Sequence, residues 1–399
     1  MKFSVSSAEL LRTLEAVGKA VPSKPMMPIL EGVRIATHPA EHRISVVATD
    51  LELFEEVSCG VRIEPEGTPR SVVLPYKRLV ATLRALPDLP VTVSADDALN
   101  VTIKTDQGRY KMVGYDGADF PEIPLLGDDA TEVPVDGGEL AAALGTSAFA
   151  LSKDALRPSM QGHYVRIHGD GPLTLVATDG HRLVRIVTEN VVTEHVPAIR
   201  ADEAVSFILP ADVSSAVRRA LGGSSTQATI SITSNLVQVA WSGTGGLLSR
   251  IVARLIDEVY PNYEAVIPAS GDRRLTVNRL SLLAAVRRVG LYASNSTRQL
   301  RLELGKDAAG GRVDVLAEDI EHASEAKETV LADFEGETMV IGFNADYLTE
   351  VLSNIGVEDI EVHFSSPDHA AVVTPAHQAD GEDLLMLVMP VRLLSTYCC

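Results

Sequence analysis

Between Ala8 and Lys19 the apolar residues Leu10, Leu11, Leu14 and Val17 fall at helical spacing, with Arg12, Glu15 and Lys19 on the other side. Pro22 and Pro25 stop that helix. Alternating β-prone runs follow around 29–36, 43–49 and 53–63, separated by polar turns. A second helix, Tyr76 to Leu86, opens after Pro75 and turns Leu79, Val80, Leu83 and Leu86 inward. Strands resume near 91–96, 99–104 and 108–113. The plan then returns, with helices from Gly138 to Leu151 and Ala211 to Leu221 and strands at 162–168, 173–177, 183–189, 227–232 and 235–241. It returns again with helices from Asn278 to Ala293 and Asn344 to Ile355. The strands of that copy fall near 299–304, 312–317, 328–333, 359–364, 370–374 and 384–391.

Short phrases mark the same period. Val46-Val47-Ala48-Thr49-Asp50 recurs as Leu175-Val176-Ala177-Thr178-Asp179 and, more worn, as Val315-Leu316-Ala317-Glu318-Asp319. Val72-Val73-Leu74-Pro75 recurs as Phe207-Ile208-Leu209-Pro210 and Val340-Ile341-Gly342-Phe343, each leading into a helical run. A period near 130 residues is too long for a solenoid unit and matches one domain. The pattern predicts a triplicated α+β domain, two helices packed on antiparallel sheet in each copy. Pro-rich acidic linkers, Asp119 to Pro124 and Tyr260 to Pro268, divide the chain into 1–126, 127–262 and 263–399.

Composition narrows the class. Hydrophobic residues at 46% and charged residues at 22% are those of a globular protein rather than a disordered one. Cys59, Cys398 and Cys399 make no disulfide framework, the opening residues lack a secretory core, and no apolar stretch is long enough to span a membrane. A cytoplasmic protein is expected. The net charge of −19 argues against a general nucleic-acid binder, unless the bases are segregated. They are: Lys77, Arg78 and Arg84, then Arg218 and Arg219, then Arg279, Arg287 and Arg288 lie on helices, with Lys19 and Lys24 bordering another. The acids crowd loops and strands. Basic inner helices and an acidic outside would hold a phosphate backbone loosely and exclude it elsewhere. Three such domains in an arc, closed by a two-fold partner, would make a ring.

Enzymatic and metal chemistry find little footing. His181 beside Asp179 and Arg182 has no second His, Ser or Cys at a partnered spacing, and Thr49-Asp50 repeats the turn without a histidine. The ten histidines are scattered with no zinc spacing, so no metal or other cofactor is expected. Gly243-Thr244-Gly245-Gly246 lacks the Lys-Ser/Thr of a P-loop and reads as a hairpin turn.

Val176-Ala177-Thr178-Asp179-Gly180-His181-Arg182-Leu183 resembles the signature of the bacterial β sliding clamps, the processivity subunits of the replicative DNA polymerase. Met1-Lys2-Phe3, Pro28-Ile29-Leu30, Tyr260-Pro261-Asn262-Tyr263, Gly342-Phe343-Asn344 with Tyr347, and Val388 to Leu393 match the same family in order, from residue 1 to 393. The resemblance implies a non-catalytic clamp of three similar domains per chain, dimerised head to tail into a six-domain ring on duplex DNA. It also implies a pocket for short peptides of polymerases, the clamp loader and repair proteins. Carried over by position, the pocket comprises Met160, Thr178, Gly180, His181, Arg182, Leu183, Pro261, Val266, Asn344, Tyr347, Leu387, Met389, Pro390, Val391 and Arg392. Such Leu, Met, Val and Pro positions suit a greasy, adaptable cleft. DNA contacts are implied at Lys24, Lys77, Arg78, Arg84, Arg157, Arg218, Arg219, Arg287 and Arg288. The dimer seam is implied at Lys111, Met112 and Val113 against Leu291 and Tyr292 of the partner.

The chain departs from the family pattern at several places. Pro158-Ser159 replace aromatics near DNA, Ala265 a basic residue at the pocket rim, and Gly114 an apolar seam residue. Leu394 to Cys399 runs past the usual end. The rival reading is a peptide-binding hub of triplicated domains that never touches DNA.

Overall fold

The structure, a computed structural model, describes residues 1–64, 70–193, 199–223, 226–243, 248–268, 271–307 and 310–393. Thr244 to Gly246 of the expected hairpin turn, and the Leu394–Cys399 tail with Cys398 and Cys399, lie outside the described residues. Six α-helices form among the described residues: α1 (Ser7–Val17), α2 (Tyr76–Arg84), α3 (Gly137–Ser147), α4 (Ala211–Leu221), α5 (Arg279–Gly290) and α6 (Ala345–Asn354). They coincide with the six amphipathic runs. The inward residues fall where helical spacing puts them, as with Leu10, Leu14 and Val17 on α1 and Leu79, Val80 and Leu83 on α2.

Each odd-numbered helix follows a short strand that the apolar pattern had not revealed: Lys2–Ser6, Thr131–Asp136 and Arg273–Asn278. Only two side chains of each are deeply buried: Phe3 and Val5, Val133 and Val135, Leu275 and Val277. Alternation that brief carries little signal. The last residue of each strand is the cap of the helix it feeds. Ser6 accepts from the Glu9 N–H at 3.4 Å, Asp136 from Gly138 and Glu139 at 2.8 and 3.0 Å, and Asn278 from Ser281 at 3.1 Å. These three strands occupy one place in the repeat, pairing antiparallel with Pro90–Ala95, Gln227–Ile232 and Asp359–Phe364 respectively.

Strand pairing runs across the repeats. One nine-stranded sheet carries Leu53–Gly60 of the first repeat beside Leu248–Arg254 of the second, in the register Glu56 to Arg250 and Phe54 to Val252. The other joins Arg182–Thr188 of the second repeat to Glu382–Val388 of the third, Leu183 facing Leu387. A five-stranded sheet is left in the first repeat, with Arg109–Val113 at one edge, and a four-stranded sheet in the third, with Ser324–Leu331 at one edge. Because sheets straddle repeats, packing groups the chain into two compact units. One holds residues 1–141, 192–200 and 212–255, and the other 142–191, 201–211 and 256–399. The middle repeat is shared between them.

Local departures from the expected strands have plain causes. The run 53–63 breaks into Leu53–Gly60 and Arg62–Ile63, the second piece pairing with Lys2–Ser6 in a different sheet. The run 384–391 ends at Val388, before Pro390, which has no N–H to give a ladder. Cys59 is a buried thiol in the first of these strands.

Candidate peptide site

The site grows from the turn that joins Leu173–Thr178 to Arg182–Thr188. Thr178 Oγ1 donates to the Arg182 carbonyl at 2.8 Å and accepts from the Gly180 N–H at 3.1 Å. Asp179 Oδ1 accepts from the N–H groups of His181 and Arg182 at 2.9 and 3.0 Å. Such short polar side chains replace backbone partners in tight turns. Gly180 sits at φ +88°, the left-handed region in which a side chain is strained. The turn therefore projects His181 outward and holds Arg182 inward, at 8% exposure.

Arg182 is the electrostatic centre. Its guanidinium pairs with Asp179 at 3.3 Å and with Glu350 of α6. It lies 4.9 Å over the Tyr347 ring and 5.4 Å from that of Phe149. Burial draws its pKa below the ordinary arginine value, and Asp179 opposes that shift. His181 stacks on the other ring neighbour, Tyr347, with centroids 5.4 Å apart and planes 17° from parallel. Asn344 caps α6 by accepting from the N–H groups of Asp346 and Tyr347, so it sets the first turn that presents Tyr347.

An apolar floor continues from there. Leu183 and Leu387, each 1% exposed, are core residues packed with Val176, Val372 and Leu385. Tyr164, Tyr260, Tyr263, Ile267 and Met389 cover that cluster from outside. Tyr164 stacks on Tyr260 at 5.1 Å, and the Tyr260 hydroxyl donates to the Val176 carbonyl at 3.3 Å. Burial pushes that phenol well above its ordinary pKa. Past the strand end, the Met389 N–H donates to the His181 carbonyl at 2.8 Å and the Val391 N–H to the Gly342 carbonyl at 2.9 Å. Gly342 is required there, because a Cβ would stand 2.7 Å from the Val391 carbonyl oxygen.

The turn, α6 and the segment 389–392 thus bring together Thr178, Gly180, His181, Arg182, Leu183, Asn344, Tyr347, Leu387, Met389, Pro390, Val391 and Arg392. Arg392 is exposed, its carbonyl accepting from Gln299 at 3.5 Å. Pro261 is exposed and Val266 is 49% exposed, in the segment that carries Tyr260, Tyr263 and Ile267. Met160 is half-buried, and its carbonyl accepts from the Ser152 N–H at 2.9 Å; nothing places it against the other residues. Sequence reasoning missed Phe149, Tyr164 and Glu350. Glu350 stands one helical turn beyond Tyr347, a spacing that could have flagged it. Leu183, Leu387, Thr178 and Asn344 shape the site from within rather than line it.

The nine basic positions are all exposed, and their partners divide them. Arg84 pairs with Glu15 at 2.7 Å, Arg157 with Asp154 at 3.7 Å, Arg219 with Glu55 at 2.7 Å and Arg288 with Glu328 at 2.6 Å. Arg287 donates to Ser353 at 3.1 Å. At the positions expected for a seam, Val113 is 67% exposed, Leu291 79% and Tyr292 46%, while Met112 is buried in its own sheet. Gly114 has a local reason: a Cβ would lie 2.7 Å from Val72 Cγ2 and 2.8 Å from the Val73 carbonyl. The third turn gathers Asp319, Glu321 and His322, with ligand atoms within 4.8 Å, and His322 Nδ1 lies 2.8 Å from Asp319.

Comparison with known proteins follows the same outline. Family models for the N-terminal, central and C-terminal domains of the DNA polymerase III beta subunit match residues 1–124, 134–262 and 264–392. The beta sliding clamp of Synechococcus elongatus is 31% identical, over 99% of this chain and 100% of that one. The Pseudomonas aeruginosa protein of that name is 26% identical, over 98% and 100%. The solved DNA polymerase III subunit beta of Pseudomonas aeruginosa superposes with a TM-score of 0.87 at 25% identity, again over 98% and 100%. A structure of that clamp bound to griselimycin gives the same values.

Proposed function

The chain belongs to the DNA polymerase III beta subunit family, the beta sliding clamps, and from that premise we propose that two copies close a ring around duplex DNA. The ring tethers the replicative polymerase and so confers processivity, and it has no catalytic role. One observation carries the reading: the two unfinished sheets. Within the chain, sheet halves of neighbouring repeats join into sheets of nine strands. The five-stranded and four-stranded sheets, with edges at Arg109–Val113 and Ser324–Leu331, are what remains unjoined. Pairing each edge with the complementary edge of a second copy would build another nine-stranded sheet twice over and close the assembly. Lys111 and Val113 would then meet the partner near Leu291 and Tyr292, while Met112 contributes backbone alone. The domain limits 1–126, 127–262 and 263–399 follow from the repeats.

Duplex would be held by charge without sequence readout, through Lys24, Lys77, Arg78 and Arg218 first. Arg84, Arg157, Arg219, Arg287 and Arg288 would have to leave the partners they hold. Polymerase, clamp loader and repair proteins would dock short peptides on the surface formed by His181, Tyr347, Val266, Pro261, Met389 and Arg392. Arg182 stiffens that surface rather than offering a free cation. The protein works in the cytoplasm. The solution mass tests the ring: the account expects twice the chain mass at micromolar concentration, and the Val113→Asp variant as a monomer. A wild-type monomer contradicts it. Met389→Asp or Arg392→Ala should weaken a polymerase tail peptide tenfold or more without unfolding the protein.

A further inference from the structure

A cavity of about 280 Å³ opens in the first unit among α1, α4 and the strands Leu53–Gly60, Leu236–Ser242 and Leu248–Arg254. Its wall is apolar at Val57, Ala220 and Trp241, with Cys59 beside them. Glu9, Arg12, Arg219 and Arg250 add charge around it, and Glu55 is the buried acid among them. Its side chain is 4% exposed; Oε1 accepts from Arg219 at 2.7 Å, and Oε2 is buried with no hydrogen-bond partner among the described residues. Buried acceptors are normally satisfied, and an unfilled one beside a void asks what fills it. The repeat sharpens the question, because Val184 holds the equivalent place in the second copy and is fully buried.

We propose that this cavity is a second ligand site, distinct from the peptide surface, which takes a small molecule with one amine head and an apolar, preferably aromatic, body. The amine N–H donates to Glu55 Oε2, while Arg219 stays on Oε1 and the ring lies against Val57, Ala220 and Trp241. Cavities of about 150 Å³ already hold benzene, so one ring with a short head fits. Above pH 7, where Glu55 is ionised, pairing a charged donor with the buried carboxylate gives the stronger kind of hydrogen bond, and a ligand lacking the donor forfeits it.

Trp241 is the only tryptophan in the chain, so its fluorescence reports the site directly. Titrating the full chain at pH 8 with benzylamine should give a saturable change, at least tenfold tighter than with toluene, which has the ring but no donor. Glu55→Val should erase that preference. Ala220→Phe, at an exposed helix position, should block both probes and does not depend on the buried site tolerating substitution. A response that never saturates in the wild type, or an amine preference that survives Glu55→Val, overturns the proposal. Neither result touches DNA encirclement.

Discussion

Thr49–Leu53 and Thr178–Arg182 are one turn used twice, to different ends. In the first, the Leu51 N–H donates to Thr49 Oγ1 at 2.9 Å and Asp50 accepts from Glu52 and Leu53 at 3.1 and 2.8 Å. The second repeats those bonds one for one. Leu51 even shares the positive φ of Gly180, +87° against +88°. The next strand docks alike, Arg254 N–H on the Glu52 carbonyl in one copy and Met389 N–H on the His181 carbonyl in the other. What differs is the side chains set upon this frame. Leu53 is buried at 4% exposure and Leu51 packs on the Leu30, Val47, Val73 and Phe120 cluster, so the first turn seals a core. His181 and Arg182 instead build a stack with Tyr347. Threonine and aspartate are therefore structural, and the proposed peptide site draws on the residues that the second copy does not share.

Substitutions at matched positions test that division, the largest effect first. Leu53→Ala should cost about 2–5 kcal/mol in denaturant melts and leave peptide affinity unchanged. Arg182→Ala, at the same place in the second turn, should cost about 1–3 kcal/mol and weaken the peptide tenfold or more. Equal effects on peptide affinity would erase the distinction between the turns.

Glu55 against Val184 is the next contrast. Burial lifts the Glu55 carboxyl to about 7, outweighing the Arg219 guanidinium, while Asp50 adds to the rise. The fold thus prefers the protonated acid. This contribution is complete below the unfolded value near 4.5 and disappears as pH rises through about 7. Between pH 5 and pH 8 the wild type should lose roughly 2–3 kcal/mol relative to Glu55→Gln. Parallel stability curves would show that Arg219 compensates the burial in full.

Smaller effects follow. Asp50→Ala and Asp179→Ala should each cost about 1–2 kcal/mol, in keeping with a shared role, and thermal melts of the pair would show any asymmetry. Gly180→Ala should cost about 1 kcal/mol through its backbone, since the nearest atom to an added Cβ is the flexible end of Arg157 at 3.1 Å.

Much of this was written in the chain. Helical spacing found all six described helices, and the Thr-Asp phrases found the repeat, because both signals are local. The first strand of each repeat was hidden, since two inward residues and a cap make too short an alternation. Seams such as Glu56 with Arg250 are long-range pairings that local patterns do not carry. For the same reason, resemblance placed His181 and Tyr347 in one pocket but did not disclose their stacking, nor the Arg182 contacts with Phe149 and Glu350. Glu55 read as one more surface acid of an acidic chain; only the packing of α1 and α4 over its strand buries it.

Encirclement is a topological claim, and retention on DNA tests it most directly. Loaded onto a circular primed duplex, the protein should stay bound through high-salt washing and should slide off once the circle is cut. Equal retention on circular and cut DNA, or none on either, would contradict the ring.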